Sequence, residues 1–357
     1  MVLILIIAGV LSSCAKPAND TKDSKSYKVA FIYISPPGDL GWTYEHDQGR
    51  KMLEAHFGDQ IITTYAENIA EDSDAARVMR RYAQEGYDMI FATSPGYMDY
   101  MYEVAEEFPQ IKFAQCAGNR TRDNMATYFG RIYQPRYLSG IVAGKMTTNG
   151  NIGYVATSPT PEVVRGINAF ALGARSVNPD AQVTVEWTNT ESDPEKEREA
   201  AIALLDAGAD IIAQHQDSIE PQKAAQERGA LSIGYNSDMR TSVGDTVLTS
   251  PVWNWGYYYI DAVQAALDGT WKSHAYWGGM DEDVVQLADF SAKVPQDVRD
   301  LVEAAKTQIM TNDRIFCGPI RDQAGNEIVA AGQCLSDADK LNMQFFVEGV
   351  IGTISGD

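Results

Sequence analysis

Aromatic and polar side chains suited to recognising a small molecule stand in loops that follow short apolar runs. The candidates are Trp42, Tyr97, Glu191, His215, Gln216, Asp217, Asn236, Asp238 and Trp253. Aromatic walls with a few polar groups suit a flat molecule rich in heteroatoms. We therefore predict that these side chains line one ligand cleft.

Several candidates also have a purely structural explanation. Trp42 stands at a predicted helix entry and could pack on the core, and His215 at a strand end could be a structural histidine. Asp238 could cap a turn. Of the two indoles in Trp253-Asn254-Trp255, we expect one to enter the core and Trp253 to face the ligand.

The sequence carries no established catalytic signature. It contains no P-loop, HExxH or GxSxG motif, and its cysteines and histidines lack zinc-site spacing. Glu191 and Asp193 could form a glycosidase-like carboxylate pair, but Asp193 before Pro194 is better explained as a helix N-cap. We predict no enzyme activity, no cofactor and no metal, with an enzyme acting in the cleft as a remote alternative.

Short β-rich runs recur in two sets with nearly equal spacing. The first set starts at residues 29, 61, 88 and 111, and the second at residues 152, 183, 210 and 231. Apolar residues between the runs have helical spacing, as at Ala75, Val78, Met79 and Tyr82. Apolar strands alternating with helices are typical of parallel sheets covered on both faces. The pattern predicts an α/β protein with two Rossmann-like lobes, and ligands bind at the carboxyl ends of such strands.

The rest of the chain is expected to cross between the lobes and form a hinge. We predict strands at Val247–Thr249 and Val284–Leu287 and helices at Tyr257–Leu267, after Pro295 and at Asp337–Val350. The predicted domains are residues 28–147 with about 253–283 for the N-terminal lobe, and 148–252 with about 284–357 for the C-terminal lobe.

Residues 1–14 have the pattern of an export signal. Val2–Leu11 is an apolar run of about ten residues, whereas a bilayer span needs about 20. The following Leu-Ser-Ser-Cys (11–14) resembles a bacterial lipobox, whose cysteine, here Cys14, is lipidated. Residues 15–27 are small, polar and charged, which predicts a flexible tether. We predict a lipid-anchored protein in the periplasm or on the outer cell surface.

The net charge of −20 repels nucleic-acid phosphates and anionic lipid. We therefore predict no nucleic-acid partner and membrane contact only through the lipid anchor. In an oxidising compartment, Cys317 and Cys334 are a candidate disulfide, which leaves Cys116 as a lone thiol.

Seven motifs are spread along the predicted mature chain. They are Gly-Asp-Leu-Gly-Trp-Thr-Tyr (38–44), Arg-Tyr-Leu-Ser-Gly-Ile-Val-Ala-Gly-Lys (136–145), Glu-Val-Val-Arg-Gly-Ile-Asn-Ala-Phe (162–170), Gln-His-Gln-Asp-Ser (214–218), Asn-Ser-Asp-Met (236–239), Gly-Pro-Ile-Arg-Asp (318–322) and Phe-Val-Glu-Gly-Val (346–350). Together they resemble the basic membrane protein family of bacterial solute-binding lipoproteins, which includes purine-nucleoside receptors. The resemblance implies a type I periplasmic-binding-protein fold, a lipid anchor and an ABC importer permease as partner.

The resemblance also assigns roles and shows departures. Trp42 matches the aromatic residue that packs on the purine ring. Asn236 and Trp253 stand where the nucleoside receptors usually have an Asp that contacts ribose and a Lys, which favours a free base over a nucleoside. Glu191-Ser192 replaces a Trp-Phe or Trp-Tyr pair of near relatives, which favours an amine-bearing or cationic ligand.

We therefore predict a monomeric extracytoplasmic binding protein that delivers a small polar-aromatic ligand to an ABC importer. A purine base such as adenine is favoured over a nucleoside. A sensory receptor of the same fold is the alternative.

Overall fold

The computed structural model describes residues 26–38 and 40–354 of the chain. The predicted signal segment, Cys14 and the predicted tether as far as residue 25 lie outside the described residues. Within the described part the strands are, in chain order, β1 (Tyr27–Ile32), β2 (Ile61–Ala66), β3 (Met89–Ala92), β4 (Lys112–Cys116), β5 (Met125–Gly130), β6 (Asn151–Ala156), β7 (Gln182–Trp187), β8 (Ile211–His215), β9 (Leu231–Ser232), β10 (Pro251–Trp253), β11 (Ala275–Gly278), β12 (Val285–Leu287), β13 (Ile320–Arg321), β14 (Glu327–Val329) and β15 (Val350–Ile351).

Helices connect most of these strands. The α-helices are α1 (Trp42–Phe57), α2 (Ser73–Gln84), α3 (Met98–Glu107), α4 (Tyr133–Met146), α5 (Pro161–Val177), α6 (Pro194–Asp206), α7 (Glu220–Glu227), α8 (Arg240–Val243), α9 (Trp255–Leu267), α10 (Gln296–Thr311) and α11 (Asp337–Leu341). Short 3-10 turns occur at Gly58–Gln60, Pro95–Tyr97 and Met280–Glu282. Among the described residues, no helix combines the length and apolar character needed to cross a bilayer.

Two parallel sheets organise these elements. The first has the strand order β11-β5-β4-β3-β1-β2 and the second β15-β7-β6-β8-β9. Every pairing within the two sheets is parallel. The predicted α/β class with two parallel sheets is therefore confirmed. In each sheet the order reverses beside the first strand, β1 or β6, and such a reversal opens a crevice at the carboxyl ends of the strands.

Local sequence explains why these elements form. The four residues of β3, Met-Ile-Phe-Ala, are all buried, as expected for a strand covered by helices on both faces. The predicted apolar face of α2 is buried, and the carboxylate of Asp72 caps this helix by accepting from the Asp74 backbone N–H at 2.8 Å. Asp193 caps α6 in the same way, with Pro194 in the first turn, as the sequence predicted.

The chain passes between the sheets three times, after β5, before β11 and before β15. The first passage is made through α4, which packs closely on α5. A Cβ added at Gly140 would lie 2.1 Å from the carbonyl oxygen of Phe170, and one at Gly173 would lie 2.0 Å from that of Tyr137. These two glycines therefore set the distance between the helices. The antiparallel pair β10–β12 lies beside the other passages.

The strand predicted at Val247–Thr249 does not form as a regular strand. This segment donates and accepts backbone hydrogen bonds beside β9, at Ser232 and Gly234, but it forms only an isolated bridge at Val247. Because β9 is two residues long, it offers too short a template for a regular neighbouring strand. The regular strand instead follows at Pro251–Trp253.

The predicted helix Asp337–Val350 is also wrong beyond its first turns. It ends at Leu341, after which the chain extends towards β15. Asn168 fixes the extended part because its side chain donates to the Phe345 carbonyl at 2.7 Å and accepts from the Val347 N–H at 3.0 Å. This path buries Phe346 and Val347 in the core.

Near the carboxyl end, Cys317 and Cys334 form a disulfide around the antiparallel pair β13–β14. Cys116 at the end of β4 is a buried free thiol.

Candidate ligand-binding site

A cavity of about 740 Å³ lies between the carboxyl ends of the strands of the two sheets. Its walls come from loops after β1, β3 and β4 of the first sheet and after β6, β7 and β8 of the second, together with β11 and α11. Among the predicted site residues, those that line it are Trp42, Glu191, His215, Asp217 and Asn236. In the described part of the chain, no group of three or more metal-ligating side chains is assembled.

Five Phe, Tyr and Trp side chains line the cavity: Trp42, Phe129, Tyr235, Tyr276 and Trp277. Trp42 begins α1 and its indole N–H donates to the carbonyl of Thr93 at 2.7 Å. Phe129 and the two β11 residues come from neighbouring strands of the first sheet. Aromatic rings held at a cavity wall offer stacking surfaces to a flat ligand.

The Trp42 ring is held by two further indoles behind it. Trp253 and Trp255 stack on each other with their ring centroids 4.5 Å apart. Trp42 meets both edge-on at 5.5 Å. This packing and the hydrogen bond to Thr93 leave the Trp42 ring little rotational freedom, so it is preorganised for stacking.

Five carboxyl groups line the cavity: Glu71, Glu162, Glu191, Asp217 and Asp337. Asp217 accepts from the Trp42 N–H, and Asp337 forms ion pairs with Arg131 and Lys340. Glu71 already accepts hydrogen bonds from the Ser94 hydroxyl and from the Gly96 N–H, the latter at 2.8 Å. Glu162 and Glu191 accept no hydrogen bond from any residue that the structure describes. Their oxygens are therefore available to a ligand.

Burial changes the protonation of Glu162 and Glu191. It raises the pKa of Glu162 to about 7; Arg165 and Arg136 oppose the rise, whereas the charge of Glu191 adds to it. Burial also raises the pKa of Glu191, and the charge of Glu71 acts in the same direction. A ligand that brings hydrogen-bond donors or positive charge relieves the cost of ionising these groups.

His215 lies beneath Glu162 and supports the cavity wall there. It is 8% exposed, and its Nε2 lies 3.3 Å from the Tyr235 hydroxyl and 3.9 Å from a Glu162 oxygen. Burial lowers the pKa of His215, and the cations Arg136 and Arg165 add to this effect. The imidazole is therefore neutral at pH 7. The guanidinium carbon of Arg136 lies 3.7 Å from the Tyr235 ring centroid, which orients that ring.

A direct contact joins the two sides of the cavity at its rim. Asp217, after β8, accepts from the Trp42 backbone N–H at 3.2 Å and from the Asn236 amide at 2.9 Å. A Cβ added at Gly41 would lie 2.7 Å from the Asp217 carbonyl oxygen. Glycine is thus required for this close approach.

A second rim contact depends on a proton. The Ser237 hydroxyl oxygen lies 2.6 Å from the Leu40 carbonyl oxygen and 2.5 Å from a Glu45 carboxyl oxygen. One hydroxyl hydrogen can serve only one of these acceptors. If it serves Leu40, a protonated Glu45 can donate to Ser237. Burial raises the pKa of Glu45 to about 7, although the Ser237 hydrogen bond opposes the rise.

We expect Glu45→Gln to become more stable relative to the wild type as pH rises. The pKa of Glu45 is raised by folding, so the folded state holds the proton more tightly between about pH 4.5 and 7 and the wild type loses stability across that window. The expected relative gain is about 1–3 kcal/mol between pH 5 and pH 8. Urea unfolding of both proteins at several pH values measures it. A constant difference across this range would contradict the protonated contact.

Two predicted site residues turn away from the cavity into packed regions. Tyr97 is fully buried, and its hydroxyl donates to the Ile69 carbonyl at 2.5 Å. The 3-10 turn at Pro95–Tyr97 sends the ring into the core while the preceding residues line the cavity. Gln216 is buried, and its amide donates to the Thr188 hydroxyl at 2.5 Å. The prediction that Tyr97 and Gln216 line the cleft is therefore corrected, because both side chains are held by contacts inside the protein.

Asp238 is likewise corrected. It does not line the cavity; its carboxylate accepts from the Arg240 backbone N–H at 3.1 Å and forms an ion pair with the Arg240 side chain at 3.0 Å. These contacts start the short helix α8, which is the turn-capping role that the sequence left open.

The structure also corrects the prediction that Trp253 faces the cleft. We expected the indoles at 253 and 255 to diverge, but both are fully buried and stacked. Trp253 ends β10 and Trp255 begins α9, so strand alternation does not govern the pair, and both rings fill the space behind Trp42. The Trp253 N–H donates to the Asn236 side-chain oxygen at 3.1 Å.

Sequence reasoning missed much of the wall. Glu162 stands in the first turn of α5, so the helix start Thr160-Pro161 could have signalled it. Tyr276 and Trp277 had no local signal, because β11 joins the wall only through its pairing with β5. Glu71 and Phe129 were not singled out either.

Comparison with known proteins identifies the family to which this chain belongs. The profile of the Bmp family, described as ABC transporter substrate-binding protein PnrA-like, matches residues 26–315. The chain belongs to this family. The predicted relationship is confirmed, and a Bmp protein binds a substrate for ABC transport, so the prediction that the chain is not an enzyme is confirmed as well.

Individual relatives agree with the family. The Bmp protein is 47% identical over 98% of its length to a purine-binding protein of Brucella abortus (strain 2308), of which 98% is covered. It is 43% identical over 93% of its length to a Haloferax volcanii (strain DS2) protein provisionally named an ABC transporter glucose-binding protein, of which 82% is covered. An ABC transporter solute-binding protein from Conexibacter woesei shares the fold at a TM-score of 0.70 and 22% identity, covering 81% of this chain and 97% of that chain.

These findings make the Bmp protein an extracytoplasmic solute-binding protein of the type I periplasmic fold. Its partners are a small-molecule ligand and the permease of an ABC transporter.

Proposed function

We propose that the cavity binds a free purine base, with adenine favoured over a nucleoside, for delivery to the importer. The observation that carries the proposal is the combination of five aromatic side chains with carboxyls from both sheets in one cavity. A purine offers a flat π-face to the rings and N–H donors to the carboxyls. The purine-binding Brucella relative, similar over nearly the whole chain, supports the same ligand class.

The hydrogen bonds at the rim of the cavity favour binding of a free base over binding of a nucleoside. Asn236 accepts from the Trp253 indole at 3.1 Å and donates to Asp217 at 2.9 Å. The two positions at which nucleoside receptors carry polar groups therefore satisfy each other inside the protein. Neither offers its side chain freely to a ribose, and a ribose would leave hydroxyls without matched partners there.

Isothermal titration and thermal unfolding with adenine, adenosine and glucose test the ligand class. We expect adenine to bind at about micromolar affinity, worth about 8 kcal/mol, and to stabilise the fold by about 3 kcal/mol at a hundredfold excess over the dissociation constant. Adenosine is expected to bind at least tenfold more weakly. Binding of glucose without binding of any purine would overturn the proposal in favour of a sugar ligand.

The proposal includes how the protein works on the membrane. Lipidation of Cys14 would anchor a monomer, and the predicted lobes, residues 28–147 with about 253–283 and 148–252 with about 284–357, would rotate about the crossovers to close on the ligand. Loss of membrane association in Cys14→Ser tests the anchor. A sensory receptor remains the alternative, and ligand uptake by cells lacking the protein separates the two.

A further inference from the structure

Glu162 is a partly buried carboxyl whose surroundings leave it without a hydrogen-bond donor. It stands in the first turn of α5, and its side chain is 26% exposed. Nε2 of His215 lies 3.9 Å from a Glu162 oxygen, beyond hydrogen-bond length. A carboxyl that has lost water and gained no donor is costly, and the missing donor must come from whatever fills the cavity.

The other carboxyls of the wall are less suited to this role, since Asp217 accepts from the Trp42 N–H and Asp337 is paired with Arg131 and Lys340. Glu71 is used by the Ser94 hydroxyl and the Gly96 N–H. Glu191 also lacks a hydrogen bond, but it is more exposed than Glu162, so water solvates it more readily. Glu162 is therefore the group that gains most from a donor on the ligand.

The neighbours of Glu162 cannot replace that donor. His215 is neutral and its Nε2 already faces the Tyr235 hydroxyl at 3.3 Å. Arg165 donates to the Lys340 carbonyl at 2.8 Å, and it forms no ion pair within 4 Å among the described residues. Arg136 donates to the Gln214 carbonyl beneath the wall.

We propose that Glu162 determines specificity by accepting a hydrogen bond from the exocyclic amino group of an aminopurine. The inference rests on the proposed function and deepens it. A carboxyl oxygen accepts from an amino group whether the carboxyl is ionised or protonated, since the protonated form keeps its carbonyl oxygen. A methyl group of the same size in place of the amino group leaves Glu162 desolvated and without a donor.

Adenine and 6-methylpurine provide the test, because they share ring shape and stacking surface and differ in the donor. A hydrogen bond to a charged group contributes about 1.5–3 kcal/mol, which corresponds to roughly 10- to 150-fold in affinity. We expect titration calorimetry of the wild type to show at least a tenfold preference for adenine. In Glu162→Met we expect the preference to fall below threefold, because adenine loses its acceptor and 6-methylpurine no longer buries a carboxyl without a donor.

Glu195→Met, at an exposed glutamate in the first turn of α6 that does not line the cavity, is the matched control and is expected to keep the preference. Glu162→Gln, which keeps an uncharged acceptor, is expected to show an intermediate preference and serves if the Met variant does not fold. A preference that survives in Glu162→Met, or that disappears in Glu195→Met instead, overturns the inference. If the wild type binds both bases equally, the inference alone fails; if it binds neither, the proposed function fails with it.

Discussion

Trp42→Ala is expected to weaken binding of the purine base by roughly 30- to 150-fold. The substitution removes a stacking wall and its apolar surface, worth about 2–3 kcal/mol. The preorganisation of the ring strengthens the effect, because Trp42 is held by the Thr93 carbonyl at 2.7 Å and by two indoles at 5.5 Å. Titration calorimetry at a fixed pH measures the loss.

Trp42→Phe is the control for this prediction. It keeps an aromatic face but lacks the N–H that donates to Thr93, so we expect a loss of about tenfold or less. Thermal unfolding of both variants without ligand separates a folding defect from a binding defect. Equal affinity of the Ala variant and the wild type would show that the ligand does not stack on Trp42.

Trp253→Ala has the largest expected effect on stability, a loss of about 3–5 kcal/mol. The side chain is fully buried, stacks on Trp255 at 4.5 Å and donates to Asn236 at 3.1 Å. The cavity left by the indole also removes support from Trp42. We expect the melting temperature to fall by roughly 10 °C and ligand affinity to fall through the displaced Trp42 ring.

Tyr97→Phe provides the contrast, since both residues were predicted to face the ligand and both are buried in the structure. It removes the hydroxyl that donates to the Ile69 carbonyl, which we expect to cost about 1 kcal/mol of stability without changing ligand affinity. If Trp253→Ala abolished binding yet unfolded like the wild type, Trp253 would have to contact the ligand directly.

Overall identity to relatives does not determine the ligand of this protein. Proteins 47% and 43% identical to it carry names that refer to a purine and to glucose, respectively. The fold places the same loops around a cavity, whereas the ligand is read by the few side chains that line it. The carboxyl of Glu162 and the aromatic rings around it are therefore the positions at which substitution should change specificity.

The loops that form the site could be predicted from the sequence. The two sets of apolar runs match β1 to β4 and β6 to β9, because continuous apolar character and chain-local caps such as Asp72 and Asp193 are properties of neighbouring residues. Strands β5 and β11 were missed. Strand β11 acquires its place from pairing with β5, about 150 residues earlier in the chain, and sequence periodicity carries no signal of such a partner.

The parallel α/β organisation and the loops at the strand ends follow from the sequence alone, because strand and helix periodicities are patterns of neighbouring residues. Which side chains of those loops line the cavity is settled by the three-dimensional packing. His215 and Gln216 are consecutive, yet only His215 lines the cavity. Side-chain direction depends on backbone angles and on packing against residues distant in the chain, which is why Glu162 and Trp277 entered the wall and Trp253 went into the core.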